Sequence, residues 1–239
     1  MKNIILVTTI LFSFYWASAQ TTSTGGTPAP ESSFRLGLHF TPTVGWAKTD
    51  NTSITGKGVK LGYNWGLITD IRFADNYYIS TGINVVQSPF KLLYADTLRD
   101  TAVGSAFNQS NVDLTYKNQY IGIPISLKLK TKEINYMKYF AQLGMEPQVN
   151  ISKKISASKG RYGGEGYKFP KDTEYKNFND NTNFLRLALI VGAGVEYSLG
   201  GKTDLIGSII YSNGLTDVSS QNNFKVTNSY VALTLGVLF

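Results

Sequence analysis

The feature that most constrains this chain is a period-two alternation of apolar and polar residues that returns eight times. From Phe34 to Trp46 the even positions Phe34, Leu36, Leu38, Phe40, Val44 and Trp46 are apolar, and Arg35, Gly37, His39, Thr41, Thr43 and Gly45 alternate with them. Such a period places successive side chains on opposite faces of a β-strand. The dyad recurs over Val59 to Phe73, Tyr77 to Val85, Ile121 to Leu129, Tyr139 to Ile151, Leu185 to Tyr197, Leu205 to Tyr211 and Val231 to Phe239. No run within these segments reaches the roughly 20 apolar residues of a transmembrane helix, so any crossing of a membrane must be made by strands.

Alternation alone does not say which face points outward, and a soluble ligand-carrying barrel of the lipocalin kind is the structural rival. Volume separates the two. An eight-stranded barrel has an interior just filled by side chains, and the apolar face here carries far more large residues than that interior can take. The opposite face, rich in Gly, Ser, Asn and a few charges, suits a narrow lumen, and the apolar face then needs a hydrocarbon solvent. Phe34 to Trp46, at about 3.3 Å per residue and tilted by roughly 40°, rises about 30 Å, enough to cross an apolar band of about 25 Å. The expected fold is therefore all-β: an eight-stranded antiparallel up-and-down transmembrane β-barrel of a Gram-negative outer membrane, over residues 34–239.

Connections 74–76, 131–137 and 199–202 read as short turns, whereas 48–58, 91–113, 152–181 and 216–226 read as long polar loops. An even strand count puts both termini on the short-turn side, which is periplasmic in such barrels, and the long loops outside the cell. Outward aromatics Phe34, Phe73, Tyr77, Tyr139, Tyr197 and Phe239 all fall at the short-turn ends of their strands, as a membrane-interface belt requires. Trp46, Tyr63 and Tyr211 offer a weaker upper belt.

Residues 1–19 have Lys2, an apolar stretch from Ile4 to Trp16 and the small-residue pattern Ala17-Ser18-Ala19, the layout of a cleaved signal peptide. Residues 20–33 are Ser/Thr/Gly/Pro-rich and read as a flexible periplasmic linker. The chain has no cysteine, which excludes disulfides, thiolate metal sites and a lipid-modified N-terminal cysteine. Its formal net charge is +7. An exported chain meets no genome, so outer-membrane lipid and lipopolysaccharide phosphate, not nucleic acid, are the expected anionic partners.

Tyr120 to Lys128 (YIGIPISLK) resembles the Y-x-E-I-P-x-x-x-K strand of the PorT-like outer-membrane β-barrel family of Bacteroidota. Gly192 to Tyr197, Tyr211 to Thr216 (YSNGLT) and the closing strand ending in Phe239 are similar in turn, so the resemblance runs in order along the mature chain. It implies an outer-membrane barrel, and the family's namesake is an accessory of type IX protein secretion. The final aromatic also resembles the signal that the barrel-assembly machinery recognises. Gly122 stands where the family often has an inward Glu, so a pair from that site to Lys128 or Lys130 cannot form, and Glu146 or Glu196 are the candidates to replace it.

His39 is the one histidine, which excludes a two-His metal site, and nothing in the sequence asks for a cofactor. Arg35, His39, Lys60, Asp70, Arg72, Lys128, Lys130, Glu146, Arg186, Glu196 and Asp204 all alternate onto the inward face. That many charges in a narrow barrel should form a mutually paired network, although the same groups could line a proton or ion path. Gly160 to Gly166 (GRYGGEG) reads as a loop tip, and Lys159, Arg161, Tyr162, Tyr167 and Lys168 around it could bind lipopolysaccharide phosphates, glycans or a partner protein, or be an ordinary solvated loop. The leading expectation is a non-enzymatic interaction or assembly component of the cell envelope with envelope or secretion protein partners. The alternatives are a lipid-modifying enzyme on the same barrel, with His39 or a loop residue as base, and a narrow solute or ion channel.

Overall fold

The computed structural model describes residues 33–50, 54–94, 98–100, 107–162, 165–168, 183–218 and 225–239. The expected signal peptide, and the expected linker except Ser33, lie outside them. Thirteen strands are described: β1 (Phe34–Thr49), β2 (Ile54–Gly56), β3 (Lys60–Ala74), β4 (Tyr77–Gln87), β5 (Phe90–Tyr94), β6 (Leu98–Asp100), β7 (Phe107–Gly122), β8 (Ile125–Lys130), β9 (Met137–Tyr162), β10 (Glu165–Lys168), β11 (Leu185–Ser198), β12 (Asp204–Gly214) and β13 (Val226–Leu238). β7 and β8 form one lane, interrupted at Ile123–Pro124, where proline has no N–H for the ladder. The lanes run β1, β3, β4, β7 with β8, β9, β11, β12, β13, each antiparallel to the next. β13 then pairs with β1 in the register Leu38↔Val237 and Val44↔Val231, which closes a ring of eight. At the seam the Phe239 N–H donates to the Leu36 carbonyl at 2.7 Å.

The two faces separate as the alternation demands. On β1, Phe34, Leu36, Leu38 and Phe40 are exposed while Arg35, Thr41 and Thr43 are buried. Leu61 is 79% exposed, and lipid-facing aliphatic residues of this kind run round the ring. Apolar surface on that scale is unfavourable in water at about 25 cal/mol per Å² and is neutral in hydrocarbon, so the fold closes energetically only inside a bilayer.

The short turns carry their own local chemistry. Asn135 and Tyr136 both take positive φ, 50° and 65°, in a two-residue turn closed by an Ile134↔Met137 bridge. Positive φ at both central positions is the type I′ pattern that matches strand twist. Asn76 (φ 66°) turns β3 into β4, and Gly200 and Gly201 turn β11 into β12. Asparagine and glycine tolerate this region at little cost.

The expectation of long polar loops needs correcting over 91–113 and 152–168. Residues 54–56, 90–94, 98–100, 107–120, 152–162 and 165–168 are strand, so the barrel wall continues well past the lipid-facing band. Most of the GRYGGEG segment lies in the β9–β10 hairpin, with Tyr162 opposite Glu165. The reason is an inversion of polarity. On β7, Ile121 points out and Gly122 points in, but higher up Val112, Leu114 and Tyr116 are buried and Lys117 is exposed. On β9 a register shift opposite Gln119 and Tyr120 performs the same switch, leaving Ile151 and Lys154 exposed and Ile155 buried. A strand leaving lipid for water must exchange its apolar face for a polar one.

Candidate functional site

The inward side chains build three layers. Nearest the short turns, Lys128 and Lys130 on β8 each reach both Asp70 on β3 and Glu196 on β11, at 2.8 and 2.9 Å from Lys128 and at 2.9 and 2.8 Å from Lys130. Arg35 on β1 donates to Glu196 at 2.9 Å and to Asp204 on β12 at 2.6 Å. The Ser80 hydroxyl donates to Asp70 at 2.7 Å. Three cations thus meet three carboxylates, and the cluster is formally neutral. Lys128 also stands 4.2 Å from the Phe140 ring centre, and Lys130 the same distance from that of Tyr78. The cluster ties lanes β1, β3, β4, β8, β11 and β12 across the lumen, a strut against flattening of the ring.

The middle layer is a chain of hydrogen bonds. His39 has its ring nitrogens 2.9 Å from the Thr41 hydroxyl and the Asn84 side-chain carbonyl. Asn84 donates to Glu146 at 2.8 Å, Gln148 donates to Glu146 at 2.6 Å, and Arg186 donates to Gln148 at 2.6 Å and to the Asn228 carbonyl at 2.9 Å. The Arg186 guanidinium is 5.9 Å from each of the Tyr120 and Tyr230 ring centres. The carboxylate of Glu146 occupies the space over Gly122: a Cβ there would lie 2.8 Å from Glu146 Oε1. Of the two candidates to replace an inward Glu at 122, Glu196 is the one that pairs with Lys128 and Lys130, and Glu146 takes the vacated volume. A cavity of about 70 Å³, lined by His39, Asn84, Lys128, Glu146, Tyr230 and Thr234 among others, lies between these layers. It has room for only a few waters.

The third layer, at the long-connection end, is apolar: Ala47, Ile54, Phe90, Leu92, Val112, Leu114, Tyr116, Ile155, Val218 and Val226 form one buried cluster drawn from β1, β2, β5, β7, β9, β13 and the segment after β12. Phe90 and Tyr116 stack with ring centres 4.9 Å apart. Sequence reasoning missed this layer because its residues carry the inverted phase. The signal was present in the Val112, Leu114, Tyr116 dyad.

Two expected members of the lumen network belong elsewhere. Lys60, at the upper end of β3, stands beside Lys91 and Lys117 instead of an acid. Arg72 pairs with Asp75 at the exposed β3–β4 turn. A single network is therefore replaced by a neutral six-membered cluster and a separate His39 to Arg186 chain, because the two groups sit at different heights along the axis. Phe34, Phe73, Tyr77, Tyr139, Tyr197 and Phe239 are all exposed at the short-turn ends, and the Phe73 and Tyr77 rings lie 6.2 Å apart. At the other end Trp46 stacks on Tyr211 at 6.3 Å. The structure places Lys159, Arg161 and Tyr162 on β9 and Tyr167 and Lys168 on β10; their side chains lie outside the described residues. Among the described residues no group of three or more metal-ligating side chains converges.

Solved structures similar to this chain include neisserial surface protein A (15% identity, TM-score 0.39, covering 84% of this chain and 95% of that one). OprG of Pseudomonas aeruginosa is similar at 10% identity and TM-score 0.45, with 87% and 97% covered. The outer membrane protease OmpT of Escherichia coli is similar at 8% identity and TM-score 0.41, with 91% and 99% covered. No curated protein matches the sequence. The family model described as "Outer membrane protein beta-barrel domain" matches residues 19–220, and with the closed ring of eight strands this makes the chain a member of that outer-membrane β-barrel family.

Proposed function

We propose that this protein is a non-enzymatic interaction or assembly component of the cell envelope, with both termini in the periplasm and the strand-built long connections outside the cell. The observation that carries the reading is the filling of the lumen. Charges that could have served a conduit are committed to one another, His39 is held between Thr41 and Asn84, and a buried apolar layer lies above them. A protein whose interior is spent on its own integrity acts through its surfaces, and beyond the lipid-facing band the described surface includes the wall formed by β5, β6, β7, β9 and β10. Within this reading, the likeness of YIGIPISLK to the PorT-like strand supports a narrower role as an accessory of type IX protein secretion in Bacteroidota. Affinity isolation of the intact barrel from native membranes in mild detergent tests both. A stoichiometric envelope protein is the expected result, and a secretion component would support the narrower role. A barrel recovered alone from cross-linked and uncross-linked membranes overturns the reading.

A further inference from the structure

Just above the lipid-facing band, outward lysines gather on neighbouring lanes. Lys117 on β7 and Lys154 on β9 are direct cross-strand partners, and both are exposed. Lys91 on β5 pairs with Thr115, two residues from Lys117 on the same side of β7. Lys60, at the upper end of β3, lies near Lys91 and Lys117, and the like charges repel. Like charges placed directly opposite in a sheet destabilise it. Among the described residues none of the four has a carboxylate at ion-pair distance; the nearby Asp113 is taken by Lys57 at 2.8 Å. Among the described residues these lysines are a cluster of positive charge that an external anion would neutralise.

Its height says which anion. Ile121 lies four residues below Lys117, and Ile151 lies three below Lys154; both isoleucines are exposed to lipid. At about 3.3 Å per residue with a tilt of roughly 40°, Lys117 and Lys154 stand about 8–10 Å beyond those isoleucines, at headgroup level. Their stems are long enough to lie along the wall while the ammonium groups reach phosphate. We infer that Lys91, Lys117 and Lys154 form a binding site for the phosphate groups of an anionic glycolipid in the leaflet around the long-connection end. The assignment of that leaflet to the outside of the cell rests on the orientation proposed above.

The test uses the refolded full-length barrel in neutral detergent micelles, with native mass spectrometry counting retained lipid. The probes are diphosphoryl lipid A, the same lipid dephosphorylated, inorganic phosphate and polyglutamate. Each lysine near a charged headgroup is worth about fivefold in affinity, so the Lys117→Gln/Lys154→Gln double variant should retain diphosphoryl lipid A about 30-fold more weakly. A Lys132→Gln/Lys202→Gln double variant removes the same charge at the short-turn end and should bind as the unmodified barrel does. Dephosphorylated lipid should be poorly retained. Equal weakening by the two double variants, or equal retention of both lipids, overturns the site. Displacement of lipid A by equimolar inorganic phosphate would make it a free-anion site, and by polyglutamate a protein-docking site; either overturns the glycolipid assignment. Heat-modifiable gel mobility verifies that each variant is folded. The micelle measurement does not depend on which way the barrel faces, so reversed labelling of cells would overturn the orientation and leave this result standing.

Discussion

Glu196 is the hinge of the lower charge cluster, and removing its charge has a consequence that can be worked through. Its carboxylate is fully buried and receives Arg35, Lys128 and Lys130 at 2.8 to 2.9 Å. Glu196→Gln keeps the volume but leaves three buried cations facing only Asp70 and Asp204, an uncompensated charge in a closed space. Breaking a buried pair in this way costs about 3–5 kcal/mol, far more than a surface pair would. Lys128→Met in the same chain removes the surplus cation while filling the space beside Phe140, so the double variant holds two cations against two carboxylates. The two substitutions should therefore be strongly non-additive, with the double variant more stable than Glu196→Gln alone by about 1–3 kcal/mol. Unfolding in guanidinium from lipid vesicles, followed by gel mobility, measures all four proteins. Additive losses, or a loss below about 1 kcal/mol for Glu196→Gln, would refute the claim that these groups hold the lumen as one neutral unit.

Three further outcomes are expected. Tags inserted within 101–106 and 169–182 should be reachable on intact cells, and a tag between Lys132 and Asn135 should not; the reverse pattern would overturn the orientation. Leu235→Arg puts a guanidinium in hydrocarbon at a cost of roughly 2–4 kcal/mol near the midplane, whereas its buried neighbour Thr234→Arg does not, so membrane fractionation should separate them in kind. His39→Gln should leave the cellular phenotype intact, since the ring is held by hydrogen bonds to Thr41 and Asn84 in the polar chain; loss of function in a normally inserted barrel would revive an enzymatic role.

What the sequence made legible was whatever the bilayer dictates. Apolar residues facing lipid must alternate without interruption, so strands such as Val231 to Phe239 announce themselves, and the structure closes this one on β1. The identity of the inward groups was equally plain, because Arg35, Asp70, Lys128 and Glu196 share the opposite parity. Which of them would meet was not. That depends on shear and tilt, which set Asp70 beside Lys128 and leave Lys60 and Arg72 at opposite rims. The upper wall was hidden for a different reason: above Ile121 and Ile151 the solvent is water, so on β7 the apolar phase reverses and on β9 a bulge turns Ile155 inward, and outward apolar alternation ends there although the strands continue.

The central claim is that the lumen, apart from a cavity of about 70 Å³, is blocked by its own side chains and that the barrel works from its surfaces. Current across a planar bilayer holding the reconstituted full-length barrel tests it most directly. With the ionic cluster below and Phe90, Leu92, Val112, Leu114 and Ile155 packed above, each no more than 1% exposed, the unmodified protein should show no sustained ion-conducting steps. Steady ohmic conductance from the unmodified protein, persisting after removal of unfolded material, would contradict the account and make the lumen a path.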